Sequence, residues 1–252
     1  MSKSKEKDKV VDVEPVENKA KVLVTGGYGF IGSKLVDSLL AKDYDVYVLD
    51  DNSSNGQTTV TTNAKCKNFD LNVCDFEKMD EFFKSNQGFE YIFHLAADSK
   101  STMPRTNPLK TQVINSVGTA NLLQYASILG VRRFILASCG SVYGVANKPP
   151  FDEDMDPDHF NPIAVSKTSA ESLCELYTRT LSVDTVRLRI FNVYGDGALD
   201  EGEFAPLVSK MIKQKSDGVK FSVYGDGNQT RDFIHVDDVV NVDYLKYLSY
   251  FF

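Results

Sequence analysis

The feature that most constrains this chain is a glycine-rich loop between a strand-like run and a helix-like run. The run KVLVT at 21–25 is β-branched and apolar, and the loop residues Gly26, Gly27, Gly29 and Gly32 follow it within one turn. A turn with so few Cβ atoms lets backbone N–H groups and a helix N-terminus approach a diphosphate, and its last glycine lets helix and strand pack closely. The loop therefore predicts a strand–loop–helix unit that binds a nucleotide.

An acidic residue at the end of the next strand-like run adds a second signal. Asp50 follows DVYVL at 45–49 and lies 24 residues after Gly26. A carboxylate at this place accepts hydrogen bonds from adenosine ribose hydroxyls and repels a 2′-phosphate. The loop and Asp50 together predict a site for NAD rather than NADP. The alternative is an ordinary turn followed by a solvated aspartate.

Strand-like and helix-like segments alternate along most of the chain. This alternation predicts an α/β fold with a Rossmann-type, doubly wound parallel sheet, whose strands are continuously apolar because helices cover both faces. The predicted strands are 21–25, 45–49, 91–95, 133–138 and 185–190, and the predicted helices are 30–42, 76–86, 110–129 and 164–181.

The alternation also divides the chain into regions. Residues 1–19 interleave five lysines with five acidic residues and predict a flexible tail. Residues 20–190 form the predicted NAD-binding Rossmann domain. Residues 191–252 are richer in Gly and Asp and predict a smaller, partial substrate-binding lobe.

Charge and cysteine content narrow the class of function. Lys and Arg number 28 against 35 Asp and Glu, a net charge of −7, which argues against a nucleic-acid or anionic-membrane surface. No window approaches the roughly 18 apolar residues of a membrane span, so a cytoplasmic protein is expected. The four cysteines show no metal-ligand spacing and are expected to be reduced thiols, with no metal bound.

Several motifs resemble those of the extended short-chain dehydrogenase/reductases, specifically the NAD-dependent sugar-nucleotide epimerase/dehydratase family. The resemblance runs from about Lys21 to Val240. The motifs are TGGYGFIG at 25–32, HLAA at 94–97, NSVGTANLL at 115–123, SVYG at 141–144, LRIFNVYG at 188–195 and YGDGNQTRDFIHVDDVV at 224–240.

The resemblance implies a set of cofactor contacts. The glycine loop would hold the pyrophosphate, Asp50 the adenosine ribose, Asp70 and Leu71 the adenine, two alanines the nicotinamide side, and Lys167 the nicotinamide ribose. Asp70 could equally be a helix N-cap or a loop residue. The implied NAD-binding residues are Gly26, Gly29, Phe30, Ile31, Gly32, Asp50, Asp70, Leu71, Ala96, Ala97 and Lys167.

The resemblance also implies a catalytic site with two departures from the family pattern. The family uses a tyrosine four residues before a lysine on one helical face, where the lysine lowers the tyrosine pKa. Here Lys167 is present, but Ile163 stands at the tyrosine position, and Cys139 stands at the usual Ser/Thr position. Loss of a positioned base costs about 10²- to 10⁴-fold in rate. Catalysis is therefore expected to be impaired.

Two other side chains are candidates to replace the missing base. Cys139 could ionise beside a positive nicotinamide, and His159 lies four residues before Ile163. The alternatives are a small buried thiol and a solvent-facing loop histidine. Tyr143 is expected to serve in packing, and His94 and His235 are expected to be structural.

Substrate contacts and reaction type follow from the resemblance. Asn192 and Arg231 match positions that contact the nucleotide diphosphate, as an arginine can do in bidentate fashion. Gly140 and Ser141 stand where family dehydratases carry acidic residues, which favours a 4-epimerase pattern acting on a UDP-hexose or UDP-hexuronate.

The sequence leaves two functions open. The first function is an epimerase with impaired catalysis, and the second is a pseudoenzyme that binds NAD and a nucleotide sugar or partners an active paralogue.

The segment after Val240 departs from the family pattern, which suggests a shortened relative or a fragment. By analogy with the family, a homodimer through helices near 110–129 and 164–181 is expected.

Overall fold

The computed structural model describes residues 19–53, 65–99, 107–199, 205–221, 223 and 225–241. The predicted tail lies outside the described residues except for Lys19, which pairs with Asp43. Within the described residues, the main sheet has six parallel strands. They are β1 (Lys21–Thr25), β2 (Asp45–Asp50), β3 (Lys67–Asp70), β4 (Phe89–His94), β5 (Arg133–Cys139) and β6 (Thr185–Ile190).

The strand order is β3-β2-β1-β4-β5-β6, with every neighbouring pair parallel. This is the order of a doubly wound Rossmann sheet, in which the chain direction across the sheet reverses between β1 and β4. The predicted fold class is confirmed. The edge strand β3 was not predicted, because KNFD is short and mostly exposed and so lacks an apolar run.

Helices cover both faces of the sheet. The predicted helix over 110–129 is one helical stretch in three parts, since a π-helical turn at Val113–Val117 joins α3 to α4. Helix α5 begins at Pro162, where the Asn161 side chain accepts a hydrogen bond from the Ala164 N–H at 2.8 Å. These helices are α1 (Phe30–Ala41), α2 (Phe76–Ser85), α3 (Pro108–Gln112), α4 (Gly118–Ile128) and α5 (Pro162–Leu181).

Two apolar cores lie on opposite faces of the sheet. Leu23 of β1 points into the core shared with α2, α4 and α5, and its neighbours Val22 and Val24 point into the core shared with α1. Strands that are buried on both faces explain the continuous apolar runs in the sequence. The two cores pack both faces of the central strands, and the carboxyl ends of these parallel strands lie side by side along one edge of the sheet.

The later part of the chain packs onto this sheet. Strand β7 (Asn192–Tyr194) pairs in parallel with β8 (Phe233–His235) in a separate two-stranded sheet. Helix α6 (Leu207–Ser216) precedes β8, and α7 (Val236–Val239) follows it and contributes Val236 to the core beside α1. The main sheet ends at Ile190. The predicted domain boundary at 190/191 stays a prediction.

None of the described helices is long and apolar enough to cross a membrane. All four cysteines lie in described parts of the chain and are reduced thiols, as the sequence predicted.

Candidate functional site

A cavity of about 490 Å³ opens at the carboxyl ends of the parallel strands, where the order reverses between β1 and β4. Ligands of open α/β sheets bind in this crevice. Most of the residues predicted from the sequence line it. They are Gly26, Gly29, Phe30, Ile31, Gly32, Asp50, Leu71, Ala96, Ala97, Cys139, Ile163 and Lys167.

The glycine loop lies so close to its surroundings that side chains do not fit. Gly26 has φ +70°, and a Cβ there would lie 2.6 Å from the Ala96 nitrogen. A Cβ on Gly32 would lie 2.1 Å from the Gly26 carbonyl oxygen. The loop therefore brings the N-terminus of α1 against the cavity, with bare backbone facing a space that an anion can occupy.

Asp50 lies at the end of β2 beside this loop. Its carboxylate accepts hydrogen bonds from the backbone N–H groups of Tyr28 and Asn52, both at 2.9 Å. Burial raises the pKa of Asp50, although these two donors act in the opposite direction. Each carboxylate oxygen keeps a further lone pair, so Asp50 can also accept hydrogen bonds from a ribose.

The opposite wall of the cavity brings together the three residues expected at the catalytic centre. Cys139 ends β5, and Ile163 and Lys167 lie one turn apart in α5. Lys167 is 6% exposed, and its ammonium donates to the Ala137 carbonyl at 2.6 Å. Burial lowers the pKa of Lys167, against the attraction of Cys139 and Glu171 nearby.

The structure separates the two proposed replacement bases. Cys139 lines the cavity beside Lys167, whereas His159 is exposed and is not among the lining residues. Tyr143 is buried and stacks on Phe151 at 4.8 Å between ring centroids and on Phe191 at 6.0 Å, so its predicted packing role is confirmed.

A buried ion pair supports this wall from behind, and sequence reasoning missed it. Arg189 of β6 donates to both oxygens of the Glu171 carboxylate in α5, the shortest contact being 2.9 Å. Glu171 also accepts a short hydrogen bond from Ser138, the residue before Cys139. The pair therefore ties β5, β6 and α5 together behind Cys139.

Three predicted residues do not line the cavity. Asp70 is the exposed last residue of β3, and the N-cap of α2 is Asp75, so the N-cap alternative for Asp70 is wrong. The exposed Asn192 donates to the Asp232 carbonyl at 2.8 Å, and the exposed Arg231 donates to the Thr230 carbonyl at 2.6 Å. Their predicted ligand contacts stay predictions.

Sequence reasoning also missed polar residues of the cavity wall. Asp98, Lys110 and Ser141 line the cavity. Asp98 lies four residues after His94, in the connection from β4, and Lys110 supplies a second cation besides Lys167. The position of Asp98 just after a strand of a parallel sheet was a usable signal, because the carboxyl ends of such strands carry ligand sites.

The residues present fit an adenine dinucleotide. A bare glycine backbone at a helix N-terminus suits a pyrophosphate, a carboxylate at the end of β2 suits an adenosine ribose, and the buried Lys167 suits hydroxyl groups further along the cavity. These residues line one continuous cavity, as a ligand with two nucleotide halves requires.

Comparison with known proteins agrees with this site. The model of the NAD dependent epimerase/dehydratase family matches residues 22–245. A putative UDP-glucose 4-epimerase of Methanocaldococcus jannaschii is 34% identical over 226 residues, covering 88% of this chain and 72% of that protein. UDP-glucuronic acid decarboxylase 1 of Danio rerio is 33% identical over 232 residues, covering 89% of this chain and 53% of that protein.

Solved structures give the same result. The UDP-glucose 4-epimerase of Thermotoga maritima with UDP-glucose has a TM-score of 0.83 and 33% identity, covering 90% of this chain and 73% of that one. The Thermus thermophilus UDP-glucose 4-epimerase in complex with NAD has a TM-score of 0.79 and 29% identity, covering 89% and 73%.

The match spans both the glycine loop and the wall of the cavity that carries Cys139, Ile163 and Lys167. Relatives at similar identity include epimerases and a decarboxylase, so likeness alone leaves the reaction type open. The chain belongs to the NAD dependent epimerase/dehydratase family of proteins that act with NAD, the cofactor predicted from the glycine loop and Asp50.

Proposed function

We propose that this chain binds NAD and a UDP-sugar in the described cavity and is a 4-epimerase-type protein with strongly reduced turnover. The observation that carries the proposal is the shared cavity: the glycine loop and Asp50 line one side, and Cys139, Ile163 and Lys167 line the other. The binding chemistry is retained, whereas the acid/base chemistry is altered.

When bound, NAD would supply a reversible acceptor for a hydride from a sugar carbon. The chain must hold the sugar hydroxyl and take its proton. Lys167 is buried and can orient hydroxyl groups with the N–H groups that the Ala137 carbonyl does not use. Ile163 lines the same wall and has no proton to exchange. Turnover is therefore expected to be lower by about 10²- to 10⁴-fold than with a tyrosine there.

Cys139 is the better of the two replacement bases. Its thiol lines the cavity beside Lys167, whereas His159 lies outside it. A thiol is a weaker hydrogen-bond donor than the hydroxyl usual at this position, but as a thiolate beside an ammonium it can accept a proton. Residual activity in this chain is expected to depend on Cys139.

The second candidate function is a binding protein without turnover. It is favoured by the apolar character of the wall around the altered position, where Ile114, Ile163, Ile190 and Phe191 all line the cavity. Such a protein would sense NAD and a nucleotide sugar or would partner an active paralogue. The two candidates predict the same ligands and differ only in chemistry.

The substrate proposal rests on the family resemblance. Asn192 and Arg231 would contact the diphosphate of a UDP-hexose or UDP-hexuronate, and Gly140 and Ser141 favour epimerisation over dehydration. Both Asn192 and Arg231 are exposed and donate to backbone carbonyls, so binding would have to redirect them.

The test is a long incubation of the purified protein with NAD and a panel of UDP- and dTDP-sugars, with product analysis. Slow conversion of a UDP-sugar to its 4-epimer, abolished by Cys139→Ala, supports the first candidate. Binding of NAD and a UDP-sugar by calorimetry without any product supports the second. Absence of NAD binding contradicts both.

We also propose a homodimer, through the outer faces of the helices that follow β4 and β5. These helices touch through Ser116 and Ser169, whose hydroxyls lie 2.6 Å apart, and present exposed apolar side chains outward. An apolar face of this kind commonly marks an interface. The exposed side chains are Leu109, Val113, Val117, Val165 and Leu176.

Light scattering tests the dimer. A dimeric mass that becomes monomeric in Val117→Lys, and stays dimeric in the control Ile212→Lys on α6, is expected. A monomeric mass of the unaltered protein contradicts this proposal. A cytoplasmic location also stays a prediction, which fractionation of the source cells would test.

A further inference from the structure

His94 is a buried histidine with two hydrogen-bonded ring nitrogens. It ends β4 and is 1% exposed. Its Nδ1 lies 2.7 Å from the Thr25 hydroxyl, and its Nε2 lies 3.0 Å from the Thr119 hydroxyl. The sequence prediction that His94 is a satisfied structural histidine is confirmed. Its partners nevertheless connect it to the cavity.

The single hydrogen of each threonine hydroxyl fixes the tautomer of the ring. The Thr119 hydroxyl donates its hydrogen to the main-chain carbonyl of Asn115 at 2.6 Å, so the Thr119 oxygen must accept a hydrogen from His94 Nε2. Nδ1 is then the acceptor and receives the Thr25 hydrogen. The Thr25 oxygen in turn accepts the Ala96 N–H at 3.3 Å. We call this series, from Ala96 through Thr25, His94 and Thr119 to Asn115, the His94 chain.

Both ends of the His94 chain reach the same wall of the cavity. At one end is the Ala96 N–H. At the other end the Asn115 side chain accepts from the Asp98 N–H at 2.7 Å and donates to the Asp98 carbonyl at 3.1 Å. Ala96 and Asp98 both line the cavity. The segment after β4 is therefore fixed at two points.

The His94 chain also determines how close the glycine loop lies to this wall of the cavity. Thr25 directly precedes Gly26, whose α-carbon packs so tightly on the Leu95–Ala96 peptide that a Cβ would not fit. A hydroxyl held between the Ala96 N–H and His94 Nδ1 thus sets the position of the first loop glycine. A small shift at this point moves the backbone that must meet the cofactor.

We propose that His94 is a positioning residue of the NAD site, which acts as a neutral imidazole through Thr25 on Ala96 and Gly26. The inference goes beyond the proposed function because it concerns cofactor affinity and holds whether or not the chain turns over a sugar.

The surroundings keep the imidazole neutral. Lys167 is the charged group that acts on His94, and burial together with the Lys167 charge lowers the pKa of His94 to about 3. Phe134 packs beside the ring at 5.8 Å between ring centroids. Protonation would turn the Nδ1 acceptor into a donor, so the Thr25 hydroxyl hydrogen would lose its acceptor.

The first measurement uses the unaltered protein. Nitrogen-15 NMR of the histidine rings is expected to show that the His94 ring is neutral and protonated at Nε2 from pH 5 to pH 8. A His94 ring that titrates in this range, or that is protonated at Nδ1, overturns the proposal.

The second measurement compares NAD affinity in two variants that each keep half of the contacts. Asparagine places its amide oxygen near the position of Nδ1 and can accept from Thr25, whereas glutamine places its amide nitrogen near Nε2 and keeps only Thr119. We expect His94→Gln to weaken NAD binding about tenfold and His94→Asn less than about threefold, from the usual effect of one buried hydrogen bond.

Controls separate positioning from folding. Thr25→Val removes the link between His94 and Ala96 at nearly constant volume, and it should weaken NAD binding as His94→Gln does. His159→Asn, on an exposed loop, should leave the affinity unchanged. Affinities equal to the unaltered protein in folded His94→Gln and Thr25→Val would overturn the proposal. If the unaltered protein itself bound no NAD, that result would instead contradict the proposed function.

Discussion

The two sides of the cavity differ in what kind of atoms form them. On the β1–β2 side, the site is built from backbone: Gly26 and Gly32 expose peptide groups, and any Cβ there would overlap neighbouring atoms. On the β5–α5 side, the expected chemistry depends on single side chains at Cys139, Ile163 and Lys167. The first side fits its cofactor, whereas the second carries Cys139 and Ile163 at the two positions where the family resemblance leads us to expect hydroxyl groups.

The comparison shows that the two sides of the cavity differ in how readily they accept a new side chain. Ile163 lies in the first turn of α5, where the helix forms with its Asn161 cap in place. The side chain at position 163 can therefore vary without disturbing the fold. A glycine of the loop cannot be replaced in this way, because its neighbours are backbone atoms that cannot move independently. A substitution in the glycine loop is therefore expected to disturb the structure more than a substitution at position 163.

The largest effect is expected from breaking the backbone side. In Gly32→Ala the new Cβ would lie 2.1 Å from the Gly26 carbonyl oxygen, so α1 must move away from the loop. We expect NAD affinity to fall by more than about 100-fold, as when reacting groups are misplaced by about 1 Å. Calorimetry measures it. Gly88→Ala is the matched control, because its Cβ meets nothing within 4 Å and only backbone strain at φ +78° is added.

The next largest effect is expected from a tyrosine at position 163, on the β5–α5 side of the cavity. Ile163→Tyr restores a hydroxyl one turn from Lys167, and we expect epimerase activity to rise by about tenfold or more. Product analysis after incubation with NAD and UDP-sugars measures it. Ile163→Phe supplies the same ring without the hydroxyl and should gain nothing. Equal activities in the two variants would show that position 163 does not account for the difference between the two sides.

The smallest effect is expected at Asp50, whose carboxylate lies on the β1–β2 side of the cavity. Asp50→Asn removes a charged acceptor, and NAD affinity should fall about three- to tenfold. Since burial raises the pKa of Asp50, acidification protonates it earlier than an exposed aspartate, so the affinity of the unaltered protein should fall as pH decreases. Calorimetry across pH should show this dependence in the control Asp45→Asn and not in Asp50→Asn. A pH-independent affinity in the unaltered protein would contradict the assigned role.

Much of the fold could be predicted because its signals are local. The apolar runs of β1, β2 and β5 and the glycine loop lie within a few residues of sequence, and all appear as predicted within a residue or two. Strand β3 was missed because an edge strand with exposed residues needs no apolar pattern.

The rest depends on residues that are distant in the sequence. Arg189 meets Glu171 across 18 positions, and Asn115 meets Asp98 across 17. Their sequence surroundings show charge and polarity but not which partner they contact. Asn192 and Arg231 show the converse case, since a matching motif did not bring them to the cavity in this structure.

The π-helical turn at Val113–Val117 places one residue more than an α-helix would hold between α3 and α4. Deletion of one residue there would yield a regular helix with better hydrogen-bond geometry, and it would rotate the preceding residues by about 100°. Asn115 would then turn away from Asp98. A stabilised scaffold designed from this chain should leave that irregular turn untouched, because it places the Asn115 side chain against Asp98 in the cavity wall.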